Sequence, residues 1–312
     1  MSIETQQFVR FAEQRTKFIR SLIQTNEFVR QGVPFIRRLV PDFTSLFVRS
    51  ISLKGKEHLE EAQAYVKSGK SLILAMNHQS EADTYVVRHI LVKNGLEEFA
   101  ERLVYIAGLK MLERRSTRPF FAAERSLMVA TPGDFKTIEA FLESHQNLSD
   151  GEREVVDQYH KSCTLLNMKS GREMIRLSGS GVVIGLYPEG TRTRSELGYI
   201  QRAPEQIAGY FKGNRFDVVS LAMRGITKTF PVGKCARLWR RSDVEVVAGE
   251  RYSAGEVWNK RIQSDYPNPE RICADLVMAR IGLLIPENIN PDDLDNYRSI
   301  SLLNSHAIDR LT

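Results

Sequence analysis

From Gly55 onward the chain alternates short apolar runs with stretches of helical periodicity, and that rhythm narrows the folds open to it. Leu72–Met76, Leu103–Ala107, Ser126–Ala130, Val182–Tyr187, Asp217–Met223 and Val244–Ala248 have the length and composition of strands. Helices fit between them, notably Lys56–Lys67 and Ser162–Leu177. Such alternation predicts an α/β fold, with a mixed, largely parallel sheet flanked by helices. Phe141 through Tyr159 is polar and reads as a surface insertion. Ahead of the alternating part, Phe8, Phe11, Ala12, Arg15, Phe18, Ile19, Leu22 and Ile23 follow a helical stripe, and a second helical piece is expected after Pro34. Residues 1–50 are therefore expected to form a small N-terminal helical domain and residues 51–312 the α/β domain. The stripe is expected to pack on another element, because apolar stripes usually mean packing.

Two polar segments sit where strands are expected to end. Asn77-His78-Gln79-Ser80-Glu81-Ala82-Asp83 follows the Leu72–Met76 run, and helical spacing resumes at Ala82, Tyr85, Val86, His89 and Ile90. His78 thus falls on a strand-to-helix turn, the place where open α/β sheets collect ligands. Asp83, in the first helical turn, can reach back to one imidazole nitrogen, fix the tautomer and leave the other nitrogen to take a proton from a hydroxyl. Ser80-x-x-Asp83 also reads as a capping box, in which Asp83 simply satisfies backbone donors. The second segment, Tyr187-Pro188-Glu189-Gly190-Thr191-Arg192-Thr193-Arg194, ends another apolar run. Pro188 stops the strand and Gly190 permits a tight turn. Arg192 and Arg194, two apart, point the same way in an extended stretch, which suits an anion held between them. A solvated basic loop with Glu189 as local counter-charge is the plainer alternative.

Taken jointly, His-x4-Asp followed by a strand ending in Pro-Glu-Gly-Thr-Arg resembles the glycerolipid acyltransferases, the glycerol-3-phosphate and lysophosphatidate acyltransferases. The likeness runs from about Leu72 to about Met223. Asn-His-Gln-Ser-Glu-Ala-Asp and the pair Arg192 and Arg194 are most similar to the soluble plant-plastid type of glycerol-3-phosphate acyltransferase. Of the family's second block, Phe120 to Arg125 keeps only Arg125, and Ser220 stands where the fourth block usually has proline. The resemblance implies transfer of a fatty acyl group from an acyl-carrier-protein or acyl-CoA thioester to the sn-1 hydroxyl of glycerol 3-phosphate, the first step of phospholipid synthesis. It implies His78 and Asp83 as the catalytic pair, and Arg192, Arg194, Glu189, Gly190 and Arg125 as substrate-binding residues. It implies no cofactor and no metal. Lysophosphatidate as acceptor, or a non-catalytic phosphate- or lipid-binding protein on the same fold, are the alternatives.

The charge of +6 is clustered. The first fifty residues carry Arg10, Arg15, Lys17, Arg20, Arg30, Arg37, Arg38 and Arg49, and Arg237, Arg240 and Arg241 flank Trp239. Such patches suit an anionic membrane surface or an acidic carrier protein. No finger, recognition-helix or RNA-binding-sheet signature accompanies them, so nucleic acid is not expected as a partner. Cys163, Cys235 and Cys273 are widely spaced, which fits a reducing compartment; Cys163 reads as a buried structural thiol. No signal peptide or spanning run is legible, and a cytoplasmic protein, peripheral on the membrane, is expected.

Overall fold

A computed structural model of the chain describes residues 3–80, 82–113, 124–190, 199–230, 240–263 and 268–305. The chain divides into two compact units. The smaller comprises Met1–Val33 and Tyr105–Arg176, the larger Pro34–Val104 and Leu177–Thr312. The chain is cut at Val33 and not at residue 50, so the two helical pieces of the amino-terminal region belong to different units.

In the smaller unit, helix α1 (Ile3–Gln24) leads to a two-residue strand β1 (Val29–Arg30). In the larger unit, α2 (Pro34–Phe47) runs directly into β2 (Val48–Lys54), followed by α3 (Lys56–Lys67), β3 (Leu72–Met76), α4 (Asp83–Lys93) and α5 (Glu97–Glu101). The chain passes into the smaller unit along β4 (Leu103–Gly108), continuing with α6 (Lys110–Glu113), β5 (Ser126–Val129), α7 (Pro132–Ser144) and α8 (Asp150–Leu177). The larger unit is completed by β6 (Val183–Leu186), β7 (Asp217–Arg224), β8 (Ser242–Ser253), α9 (Ala254–Gln263), α10 (Pro269–Gly282) and α11 (Leu294–Ser305).

Within the smaller unit β4 and β5 pair parallel, and β1 pairs antiparallel with β5. The apolar stripe of α1 packs on helices of that unit, as its periodicity predicts. Phe8 stacks on Phe141 with ring centroids 3.8 Å apart, and Phe11 meets Tyr159 edge-on at 5.9 Å. The expected polar insertion at Phe141–Tyr159 is instead the end of α7, a short link and the first turns of α8. Its polar residues occupy the outer faces, while Phe141, Val156 and Tyr159 are buried beneath them.

Within the larger unit the strands lie in the order β6, β3, β7, β8, β2. β3 is parallel to both neighbours, β7 and β8 are antiparallel, and β2 is parallel to β8. The sheet is therefore mixed and largely parallel, with α3 and α10 packed on its strands and α2 packed on α4. Every residue of β3 is fully buried, which explains why Leu72–Met76 is apolar throughout rather than alternating. β8 alternates buried and half-buried residues along most of its length, the mark of a strand with one face covered. Because β3, β6 and β7 are parallel, the chain leaves all three at one edge, and the segments starting at Asn77 and Tyr187 meet there.

Candidate active site

Asn77 ends β3 by holding β7. Its Nδ2 donates to the Met223 carbonyl at 2.9 Å, and its Oδ1 accepts from the Met223 amide at 2.7 Å. A fully buried amide with both ends satisfied fixes the point at which the chain leaves the sheet. The next residues bend around Asp83, the first residue of α4, whose side chain is fully buried. Asp83 Oδ2 accepts from the Gln79 amide at 2.7 Å, and the Ser80 hydroxyl donates to Oδ1 at 2.8 Å. The Ser80 oxygen in turn accepts from the Ala82 amide at 3.0 Å. His78 Nδ1 lies 2.9 Å from the same Oδ2. The Ser80-x-x-Asp83 capping box is not formed, because Ala82 and not Ser80 is the N-cap of α4 and no side chain caps it; Asp83 instead gathers the amides of the turn ahead of the helix and also meets the imidazole.

The pairing has a chemical consequence. A carboxylate accepts only from a protonated Nδ1, so Nε2 is left as the basic nitrogen of the neutral ring. A proton arriving at Nε2 creates an imidazolium already next to a buried negative charge. The His78 side chain is about one-fifth exposed, 21 % by area, so the ring is not sealed from solvent. The Tyr187 ring stacks on it at 4.4 Å, with 28° between the planes.

Tyr187 begins the second segment. The Gly190 amide donates to the Tyr187 carbonyl at 3.0 Å, closing a turn, and Gly190 takes φ +65, a left-handed backbone conformation that favours glycine. Glu189 is 4 % exposed. Its Oε2 accepts from the His78 amide at 2.7 Å and its Oε1 from the Gln201 amide at 2.8 Å. Burial pushes the Glu189 carboxyl up to about 8, with buried Asp83 pushing the same way and the two amides opposing.

Arg192 and Arg194 lie outside the described residues. Arg125 belongs to the smaller unit, half-buried just ahead of β5, with its carbonyl accepting from the Tyr105 amide. The structure thus brings His78, Asp83, Glu189 and Gly190 together at one sheet edge. Asn77, Tyr187 and Gln201 join them there without having been singled out in the sequence. An asparagine closing an apolar run is a readable signal for the first; nothing local marks the other two. A cavity of about 450 Å³ is lined by Tyr199, Arg224, Pro286, Glu287, Ile289, Pro291 and Leu294. Cys163 and Cys273 are buried, and burial pushes the Cys163 thiol up to about 12, far from a reactive thiolate. Among the described residues no cluster of His, Cys, Asp and Glu could hold a metal ion.

The acyltransferase family model matches residues 50–234, more than half of the chain. The chain belongs to the acyltransferase family. Among curated relatives, it is 28 % identical over 206 residues to a chloroplastic glycerol-3-phosphate acyltransferase of Spinacia oleracea, covering 65 % of this chain and 36 % of that protein. It is 30 % identical over 164 residues to the enzyme of the same name from Pisum sativum, covering 52 % of this chain and 30 % of the relative. The matches span about a third of those relatives' own length. A solved structure of the 1-acyl-sn-glycerophosphate acyltransferase PlsC from Thermotoga maritima aligns over 89 % of this chain and 97 % of its own, with a TM-score of 0.41 and 14 % identity. The family match begins at β2 and ends short of β8, so it takes in both segments of the site.

Proposed function

We propose that this acyltransferase moves a fatty acyl group from a thioester, on acyl carrier protein or coenzyme A, to the sn-1 hydroxyl of glycerol 3-phosphate. The observation that carries the reading is the 2.9 Å contact of His78 Nδ1 with the fully buried carboxylate of Asp83. On this reading His78 Nε2 takes the proton of the acceptor hydroxyl, whose oxygen attacks the thioester carbonyl. The tetrahedral oxyanion collapses, the carbon–sulfur bond breaks, and the departing thiolate takes the proton from the imidazolium. Asp83 orients the ring and stabilises its charged form. Arg192 and Arg194 bind the acceptor phosphate, as guanidiniums suit phosphate oxygens. Gly190 gives the turn that leads to them.

Release of free thiol tests this directly, with glycerol 3-phosphate or lysophosphatidate as acceptor and acyl carrier protein or coenzyme A as donor. Thiol release dependent on glycerol 3-phosphate is expected. Release with lysophosphatidate alone would transfer the reading to the other acceptor, and no release with any pair would reject acyl transfer between these classes.

For location we propose a cytoplasmic enzyme that docks reversibly on an anionic bilayer. Among the described residues no helix is long and apolar enough to cross a membrane, yet an acylated product must enter one. Support comes from one face of α2, where Phe35, Leu39, Phe43 and Leu46 are 71, 48, 39 and 66 % exposed. Their spacing keeps them on one side of the helix, and a contiguous exposed apolar stripe marks an interaction site. The basic residues of the first fifty contribute less than their number implies, since Arg15 and Arg37 are buried and Arg37 pairs with Glu101 at 2.6 Å. Arg237 and Trp239 lie outside the described residues.

A further inference from the structure

The resemblance to known acyltransferases makes Glu189 a substrate-binding residue; its surroundings argue for another task. Both carboxyl oxygens are already engaged by backbone amides, His78 on one side and Gln201 on the other. The residue is 4 % exposed. The two amides belong to segments with different duties: one carries the imidazole, and the other is where the chain returns after residues 191–198, the stretch that contains Arg192 and Arg194. That stretch leaves from Gly190 and comes back to the carboxyl group of its own neighbour. We infer that Glu189 is a positioning residue, a buried staple that locks the backbone of His78 to both ends of the arginine-bearing segment and makes no contact with substrate.

The residue type follows from the hydrogen-bond inventory. Two backbone N–H groups face one side chain, so the site needs two acceptors. Glutamine offers one acceptor and one donor, and its donor would be aimed at an N–H. Aspartate keeps both acceptors but is one methylene shorter, so it cannot span the same gap without moving one partner. Alanine leaves both half-buried amides without their acceptor, at a cost to each. A carboxyl pushed up by burial and still held by two amides fits a group kept for its geometry.

The claim of a positioning role in catalysis rests on the acyl-transfer reading, but the staple itself can be read without turnover. Hydrogen exchange on the free protein should show the His78 and Gln201 amides exchanging faster in Glu189→Gln than in wild type. The amides of Leu72–Met76, buried in the sheet, should exchange as before. In kinetics, Glu189→Gln should lower kcat roughly ten- to a hundredfold, the scale expected when a reacting group is displaced by about 1 Å, with KM for the thioester unchanged. Glu189→Asp, which keeps both acceptors, should lose less in both assays, and it stands in should the glutamine variant fail to fold. Unchanged exchange at both amides would overturn the staple. A kcat retained with only KM for glycerol 3-phosphate raised would also overturn it, by making Glu189 a substrate contact. Exchange accelerated equally in β3 would do so by making it general scaffold. Altered exchange at the two amides in a chain that transfers no acyl group would keep the staple and remove the acyl-transfer reading alone.

Discussion

Replacing Asp83 with Asn removes one charge and almost no volume, so its effect isolates what that charge does. The carboxylate accepts from the Gln79 amide, the Ser80 amide and the Ser80 hydroxyl, and meets His78 Nδ1. An asparagine has one oxygen for these partners and must turn its NH2 toward the rest. If the oxygen keeps the backbone amides near Oδ2, the NH2 faces the Ser80 hydroxyl, which can rotate to accept, and the imidazole keeps its tautomer. If instead the NH2 takes the Oδ2 position, it opposes two amides and forces His78 to accept at Nδ1, which moves the ring proton to Nε2 and abolishes the base. In either arrangement the imidazolium loses its buried counter-charge. Losing one to two charge-assisted hydrogen bonds costs about 1.5–6 kcal/mol of stability. Losing the counter-charge lowers turnover in both arrangements, and where the tautomer goes as well the loss reaches about ten-thousandfold, the scale known for the corresponding change in a serine-protease triad. Thiol release at saturating acceptor and donor reads the second quantity, and urea unfolding the first. His78→Ala, which removes the base but not the carboxylate that gathers the turn, should cut turnover by about a hundredfold or more with a much smaller loss of stability. A folded Asp83→Asn protein within about tenfold of wild-type kcat would refute the assignment of this pair, because an oriented base cannot lose its partner so cheaply.

Arg194→Ala should weaken apparent affinity for glycerol 3-phosphate by about 1.5–3 kcal/mol and leave donor KM unchanged, with lysine restoring it only in part; an effect on the donor alone would reassign the arginine pair to the thioester's own phosphates. Phe35→Ser combined with Leu46→Ser on α2 should reduce sedimentation with anionic vesicles without lowering turnover of water-soluble substrates, and unchanged sedimentation would remove α2 as the contact. For pH, the Glu189 carboxyl is raised when folded, so its contribution to stability is full below the unfolded carboxylate range and is lost as pH rises through about 8. Thermal unfolding followed from about pH 5 to about pH 9 should therefore fall less steeply in Glu189→Gln than in wild type, and parallel slopes would argue that Glu189 does not titrate in this window.

Much of this architecture could be read along the chain wherever burial was complete. β3 and α3 occupy the expected Leu72–Met76 and Lys56–Lys67, because a strand buried on both faces is apolar throughout and an amphipathic helix repeats its stripe. β2 went unrecognised: Val48–Lys54 is exposed or half-buried after its first residue and carries serines and an arginine, so no apolar run marks it. The first turns of α8 were hidden for the same reason, with only Val156 and Tyr159 buried among polar neighbours. His78 and Asp83 were legible because they stand five positions apart and a single turn joins them. The grip of Glu189 on His78 spans 111 positions and exists only because β3 and β6 lie side by side, which no local pattern announces.

Asp83 couples two properties that natural drift usually treats separately. The carboxylate that meets the imidazole is also the group that gathers the chain ahead of α4, so a descendant that abandons catalysis cannot discard it without loosening that turn. His78 carries no such debt through its side chain. If the proposed roles hold, relatives on this fold that have become mere binders should lose the histidine first and keep the aspartate.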